Sequence, residues 1–268
     1  MRLSNKKLFL LLVSLFTISN MILADTAPYC SDTESILTFL NRPSVADNAC
    51  TVPNGKASIE AGYAYSNLIG GGSGHDFPET FLRLGLPKNN EIVIGLPNYY
   101  LQSITPHSGF GTTNIGLKHE IGTIKNFFVS IEGIVAPPSG SRSFGNDDIE
   151  GTFNTLIGYN FSPTIIMTIM LGASSYTMPS SFGGQRYNTV NPDVVFTWQV
   201  SRRIQYYSEI YGQSQTQPGD GAGFNFDGGI LYAIKPRFEV DAEVGRRISG
   251  SLGGFNNYFG VGFGLLLG

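Results

Sequence analysis

From about Gly55 to its last residue the chain is a run of twelve short segments in which apolar and polar residues alternate at every step. The connections between them alternate short, long, short, long. A two-residue period fits an extended strand with one apolar and one polar face. An even number of such strands, with short turns at one end and long loops at the other, is the pattern of an all-β, up-and-down antiparallel barrel of the outer membrane. After residue 24 no run of about 18 apolar residues occurs, so helical membrane spans are excluded. A soluble β-sandwich would leave too many aromatics and large aliphatics on one continuous outer face.

The segments specify their own register. In the first, Ala57, Ile59, Ala61, Tyr63 and Tyr65 share one face, and Ser58, Glu60, Gly62 and Ala64 share the other. The second, about Glu79 to Leu86, sets Leu82, Leu84 and Leu86 outward and Phe81, Arg83 and Gly85 inward. The third carries Ile92, Ile94 and Leu96 against Glu91, Val93 and Gly95. In the eleventh, Phe238, Val240, Ala242 and Val244 alternate with Glu239, Asp241 and Glu243. A slip of one residue would put Arg83, Glu60 and Glu91 into lipid. Only the seventh, Ile165-Ile-Met-Thr-Ile-Met-Leu171, is ambiguous, being apolar on both faces.

The short connections are Pro87–Asn90, Gly122–Lys125, Phe161–Pro163, Val200–Arg202 and Lys235–Pro236. The long ones span 68–77, 98–109, 137–148, 177–188, 214–221 and 248–254. Short turns belong to the periplasmic side. Twelve is even, so the expectation is an outer-membrane protein with both termini periplasmic.

The amino terminus agrees with that location. Arg2, Lys6 and Lys7 precede an apolar run from Leu8 to Leu23 that ends at Ala24, which reads as a signal peptide over residues 1–24. Residues 25–55 then form a periplasmic segment before the barrel of residues 56–268. Its Cys30 and Cys50 are the only cysteines, and in an oxidising compartment a disulfide is their natural reading. In the chain-entropy account such a bridge is worth about 3 kcal/mol. Ser31-Asp-Thr-Glu34 fits a capping box, and Ile36, Leu37, Phe39 and Leu40 make an apolar stripe, so a short helix over Ser31–Leu40 is expected. It would act either as a plug entering the barrel or as a cap on its rim.

Net charge is −3, which argues against nucleic acid as a partner. The inward positions are acidic: Glu60, Glu91, Glu120, Glu132, Glu150, Asp193, Glu209, Asp227, Glu239, Asp241 and Glu243. Arg83, Lys118, Arg203 and Arg247 stand against them. Two readings follow for these lumen-lining residues. They form a path favouring cations, or acid–base pairs brace a filled interior. Tyr207, Tyr211 and Tyr258 line a path or fill space. A lipid-modifying enzyme would need a His–Ser pair. His75 and His107 do lie beside Ser73 and Ser108, but no Gly-x-Ser-x-Gly elbow is present. No catalytic residues, cofactor or metal site are expected. Asp147, Asp148 and Asp220 read as solvated loop acids.

The stretch from Asn41 to Gly55, followed by Ile59-Glu-Ala-Gly-Tyr63, resembles the start of a group of outer-membrane barrels filed with the "putative phenol-degradation meta-pathway" proteins. Gly111-Thr-Thr-Asn-Ile-Gly-Leu-Lys118 is similar to one of their strand motifs. The resemblance implies a transporter or channel passing small molecules, hydrophobic or aromatic ones among them, and supplies no catalytic residue. The alternative is a closed structural or adhesive barrel. The expected partners are outer-membrane lipid and lipopolysaccharide, the small-molecule solute, and the barrel-assembly machinery. Many such barrels end in Phe or Trp, the signal read by that machinery. This chain ends Leu265-Leu-Leu-Gly268 instead.

Overall fold

A computed structural model describes Cys30 and residues 32–268. The signal-peptide reading, and Ser31 of the expected capping box, lie outside the described residues. The barrel strands are Ala57–Leu68 (β1), Ser73–Phe77 (β2), Phe81–Leu86 (β3), Asn90–Gly95 (β4), Tyr99–Gln102 (β5), Ser108–Phe110 (β6), Asn114–Ile124 (β7) and Phe127–Ala136 (β8). They continue as Glu150–Ser162 (β9), Ile165–Thr177 (β10), Arg186–Ser201 (β11), Ile204–Gln213 (β12), Gly223–Lys235 (β13), Phe238–Ser249 (β14) and Phe255–Leu267 (β15).

Every neighbouring pair is antiparallel. The sheet closes on itself where β1 pairs with β15, from Ala57 opposite Leu267 to Leu68 opposite Phe255. Closure leaves no edge strand around the wall, the condition for a sheet to live in lipid. The staves number twelve, as the alternation predicts, because β2 with β3, β4 with β5, and β6 with β7 each make one interrupted stave. Their upper parts form their own ladder, in the order β1, β2, β5, β6. The stretches 68–77 and 98–109 are therefore not loops throughout, as expected from their Gly, Ser and Pro content. Pro78 and Pro97 interrupt the staves, since neither can donate to a ladder, and pairing resumes beyond them.

The inward and outward assignments hold along the wall. Ile115, Leu171, Val244 and Phe259 are exposed on the outside, whereas Glu60, Arg83, Glu91, Lys118 and Glu132 are buried. The ambiguous seventh segment, now β10, sets Ile166 and Met170 inward and buried, with Leu171 outward. Arg203 does not face the lumen; it lies exposed at the short turn between β11 and β12.

The expected helix over Ser31–Leu40 is not formed. A single 3-10 turn, Ile36–Thr38, stands in its place. Asp32 Oδ1 accepts the Glu34 and Ser35 N–H groups at 3.1 and 3.2 Å. The Ile36 N–H donates to Pro236 O at 2.8 Å, in the turn between β13 and β14. A helix this short is marginal without packing, and contacts with the wall take its hydrogen bonds. The apolar stripe is nevertheless buried: Ile36, Leu37, Phe39 and Leu40 expose 5% or less. They pack inside the barrel against Phe128, Leu156, Ile166, Val195, Leu231 and Leu266. This core, of the kind found in soluble proteins, explains why β10 is apolar on both faces. The Cys30–Cys50 disulfide is present and buried.

Arg83 anchors the interior near the short turns. It is fully buried; its Nε and NH2 donate to the two Glu91 oxygens at 2.7 and 3.0 Å, and its NH1 donates to Glu60 at 2.9 Å. Removing one partner of such a buried network leaves uncompensated charge. Arg83→Met should therefore cost about 3–5 kcal/mol, read as a lowered urea midpoint in lipid vesicles, whereas Leu84→Met on the lipid face should leave the midpoint nearly unchanged.

Candidate functional site: the lumen and its internal segment

Residues 35–54 cross the bore from one wall to the other, and lumen carboxylates hold them by their backbone. Glu60 Oε2 accepts the N–H groups of Asn41 and Arg42, both at 2.9 Å. On the opposite wall, Glu209 accepts two successive N–H groups, Val45 at 2.9 Å and Ala46 at 2.7 Å, one on each oxygen. Glu91 accepts the Val52 N–H at 2.6 Å. Glu120 meets Thr51. Ser130 Oγ donates to Ala49 O, and Arg83 NH1 donates to Phe39 O. In a low-dielectric bore such bonds have little competition from water.

Arg42 is the centre of the segment. Its guanidinium lies 2.5 Å from Glu79, 3.3 Å from Asp241 and 3.9 Å from Glu243. It rests against the backbone of β1 and β15, where a Cβ at Gly62 or Gly262 would collide with it. Gly85 likewise gives way to the Val52 and Pro53 carbonyls, and Gly264 to Leu40, Ile36 and Glu239. These inward glycines are seats for the segment. Others on the wall make room for rings: Tyr258 lies over Gly245, and Phe128 over Gly158.

The inward acids thus divide into two sets. Glu60, Glu91, Glu120 and Glu209 hold the segment, while Glu132 meets Asp47 and takes a bond from Asn154 at 3.1 Å. Glu150, higher up, accepts the Thr177 N–H at 2.7 Å. The second set lies on β11, β13 and β14. Glu209 touches Asp193 and Asp227, and Tyr258 donates to Asp227 at 2.5 Å and to Glu243 at 3.3 Å. Tyr207 donates to Glu243 at 3.2 Å. Asp193 also meets the Val194 N–H, and Glu239 the Gly264 N–H, while Asp241 Oδ2 has no hydrogen-bond partner. Lys118, facing Glu91 at 3.8 Å, belongs to the first set. Arg247 turns to Gly250 O and Asn256.

A cavity of about 40 Å³ remains between the segment and β10–β13, room for about three waters. Leu40, Arg42, Asp47, Thr168, Gln205 and Tyr207 line it, and Gln205 Oε1 is without a partner. Sequence reasoning missed Arg42 and Glu79, and it set Gly62 and Gly85 inward without reading them as seats for the segment. The glycines between the outward residues of β15 were the available signal.

His75 meets Tyr63 Oη at 2.7 Å, His107 meets Gln102 O at 3.4 Å and His119 meets Asn90 Oδ1 at 3.0 Å. Among the described residues no group of three or more His, Cys, Asp or Glu side chains is arranged to hold a metal ion. Asp148 pairs with Arg186 at 2.9 Å, and Asp220 accepts bonds from Gln217 and Ser251.

A closed twelve-stave barrel with a lipid-facing apolar band defines a porin-like outer-membrane β-barrel. Solved structures of that class share the fold. The COG4313 outer membrane channel from Pseudomonas putida F1 superposes with a TM-score of 0.64 at 10% identity, covering 84% of this chain and 100% of that one. The NanC porin gives 0.56 at 9% identity, over 78% and 98%. The KdgM porin gives 0.54 at 8%, over the same shares. No curated protein matches the chain. Residues 40–262 match the family described as "Putative MetA-pathway of phenol degradation", and the chain belongs to it. The match begins at Leu40, so it takes in most of the internal segment as well as the wall.

At the short-turn end the segment is tied down by Glu34, which sits 2.6 Å from both Lys56 and Arg237. Hydrogen bonds from Lys56 and then Arg237 draw its carboxyl down from the usual 4.5 to about 2. The folded value is the lower one, so this tether is complete above pH 4.5 and is lost as pH falls through about 2. A carbon-13 titration should find the Glu34 midpoint near 2. It should return toward 4.5 in the Lys56→Met, Arg237→Met double variant; a wild-type midpoint already near 4.5 would show the tether absent.

Proposed function

We propose that the protein is an outer-membrane channel for small molecules whose bore is opened and closed by its own N-terminal segment, with both termini on the periplasmic side. The observation that carries this is the suspension of residues 41–52 from Glu60, Glu209 and Glu91. The segment is held by hydrogen bonds, an arginine cluster and a packed apolar core, none of them part of the wall's own ladder, so it can leave without breaking the wall. The path it vacates has an apolar side, Ile166, Val195 and Leu231, and a polar one, Gln205, Tyr207 and the acids of β11–β14. Such a lining suits neutral molecules that join an apolar body to a polar group, aromatic alcohols among them. The excess of carboxylates over basic groups favours cations over anions. The channel reading needs no catalytic residue or cofactor.

Planar-bilayer recording tests it. Wild type should show small or intermittent conductance. Gly62→Leu, which fills the seat of Arg42, and deletion of residues 32–52 should each give a larger, steady one. A deletion variant as silent as wild type would contradict the channel and favour a closed structural barrel. In a potassium chloride gradient the opened variant should prefer potassium. Replacing Asp193 and Asp227 by Asn should move its reversal potential toward zero; an anion preference would remove the acidic-lumen part of the proposal.

A further inference from the structure

Lys88, Lys125, Arg202, Arg203 and Lys235 stand exposed on the short turns of the wall. None of them makes an ion pair or a side-chain hydrogen bond among the described residues. The exposed acids of this end, Asp32 and Glu34, do not answer them. Asp32 Oδ1 accepts the Glu34 and Ser35 N–H groups, and Glu34 is taken up by Lys56 and Arg237. Three of the free cations lie close together. Ser201 Oγ accepts the Arg203 and Ile204 N–H groups at 3.2 and 3.1 Å, which folds the β11–β12 turn that presents Arg202 and Arg203. The next turn along, between β13 and β14, carries Lys235. Neighbouring strands lie about 4.8 Å apart, so these two turns sit about 10 Å from each other along the rim.

The outer face beside these three cations is aromatic. Trp198 on β11 is paired with Tyr206 on β12, and Tyr232 on β13 lies opposite Ile204. All three rings are exposed on the outside, and Phe196 stacks beside Trp198 with ring centroids 6.2 Å apart. Between the rings and the cations stand Val200 and Ile234, 63% and 42% exposed. The hydroxyls of Tyr206 and Tyr232 make no hydrogen bond among the described residues. Trp and Tyr settle where hydrocarbon meets headgroups, so cations one step further out stand at the depth of the lipid phosphates. An Arg guanidinium meets a phosphate through two parallel N–H bonds, and a Lys adds a point charge. The free Tyr hydroxyls lie in the layer between, where the ester carbonyls of the same lipid accept hydrogen bonds.

We propose that the outer face between the β11–β12 and β13–β14 turns is a docking site for one anionic glycerophospholipid. Its phosphate is held among Arg202, Arg203 and Lys235, and its acyl chains lie on Trp198, Tyr206 and Ile230. Charge complementarity selects this occupant. Three cations with no carboxylate beside them leave the ammonium of a zwitterionic headgroup unmatched, whereas a headgroup charged only at its phosphate meets them alone. A soluble polyanion or a cell-wall glycan would use the cations and leave the rings without a partner. The leaflet rests on the orientation proposed above, which sets the short turns in the periplasm and so the lipid in the inner leaflet. The lipid chemistry does not rest on it.

Trp198 is the only tryptophan of the chain, so the site carries its own probe. The full-length protein is placed in phosphatidylcholine vesicles, and Trp198 fluorescence is quenched by dibrominated phosphatidylglycerol or by phosphatidylcholine with the same brominated chains. A basic side chain at a membrane surface is worth about fivefold in affinity for anionic lipid. The anionic lipid should therefore reach half-maximal quenching at about one-fifth of the mole fraction that the zwitterionic one needs, or less. The triple variant Arg202→Gln, Arg203→Gln, Lys235→Gln, checked for folding by its heat-shifted mobility on a gel, should need about equal amounts of the two. Lys88 and Lys125 lie four strand spacings along the wall from the nearer turn of the site, beyond the Debye length of about 10 Å at 0.1 M salt. The Lys88→Gln, Lys125→Gln variant should therefore keep the wild-type preference. Equal quenching by both lipids in the wild type would overturn the site, as would a preference that survives the triple variant or is lost in the Lys88, Lys125 control. Equal quenching together with capture on purified peptidoglycan that the triple variant loses would assign the cations to the cell wall instead. The vesicles are symmetric and nothing is conducted, so a silent barrel in planar bilayers sinks the channel reading and leaves this site standing.

Discussion

A β-sheet in a bilayer can leave no backbone group unpaired, and here the pairing of β1 with β15 meets that demand. Much else in the structure follows from closure. It fixes which residues face lipid. It also creates an interior about as wide as a small protein's core, which must then be filled or left open. In this chain it is filled from within by residues 35–54. The lower interior is built as a soluble core, with Phe39, Leu40 and Val52 against Phe128, Leu156 and Ile166. Above it stands a layer of carboxylates.

The chemistry of filling explains an oddity of composition. A segment without regular secondary structure brings unsatisfied N–H groups into a place with few waters. The wall answers with acceptors: Glu60, Glu209 and Glu91 each take one or two of those N–H groups. Glycines on β1, β3 and β15 let the segment lie directly on the wall at Arg42 and Val52. An acidic lumen therefore need not mean an ion path at every acid. On β14, Asp241 and Glu243 also answer Arg42, so the inward acids of this wall that make no bond to the segment are Asp193, Asp227 and Glu239.

The wall was legible in the sequence because a period of two is set by geometry alone. Stave number, register and the inward placement of Glu60, Arg83, Glu91 and Glu243 all followed from it, and the disulfide followed from compartment. The internal segment was harder to read. The stripe at Ile36–Leu40 correctly marked burial, but the helix was wrong because partners distant in sequence, such as Pro236, decided the hydrogen bonding. Two proline-marked gaps passed as loops because strand pairing beyond an interruption has no local signature. The apolar run in β10 was ambiguous for the same reason: its inner face packs on a segment more than a hundred residues away. Arg42 carried no pattern, since its role exists only when β1, β14 and β15 converge on it.

The central claim is that wall carboxylates hold the segment in the bore. Residue-resolved hydrogen exchange in lipid nanodiscs tests this directly, at the amides of Asn41, Arg42, Val45, Ala46 and Val52. The account predicts slow exchange at all five in the wild type, with Val45 and Ala46 released in Glu209→Ala while the amides of β12 and β13 stay protected. Exchange at the rate of an unstructured chain in the wild type, or protection that survives loss of Glu209, would contradict it.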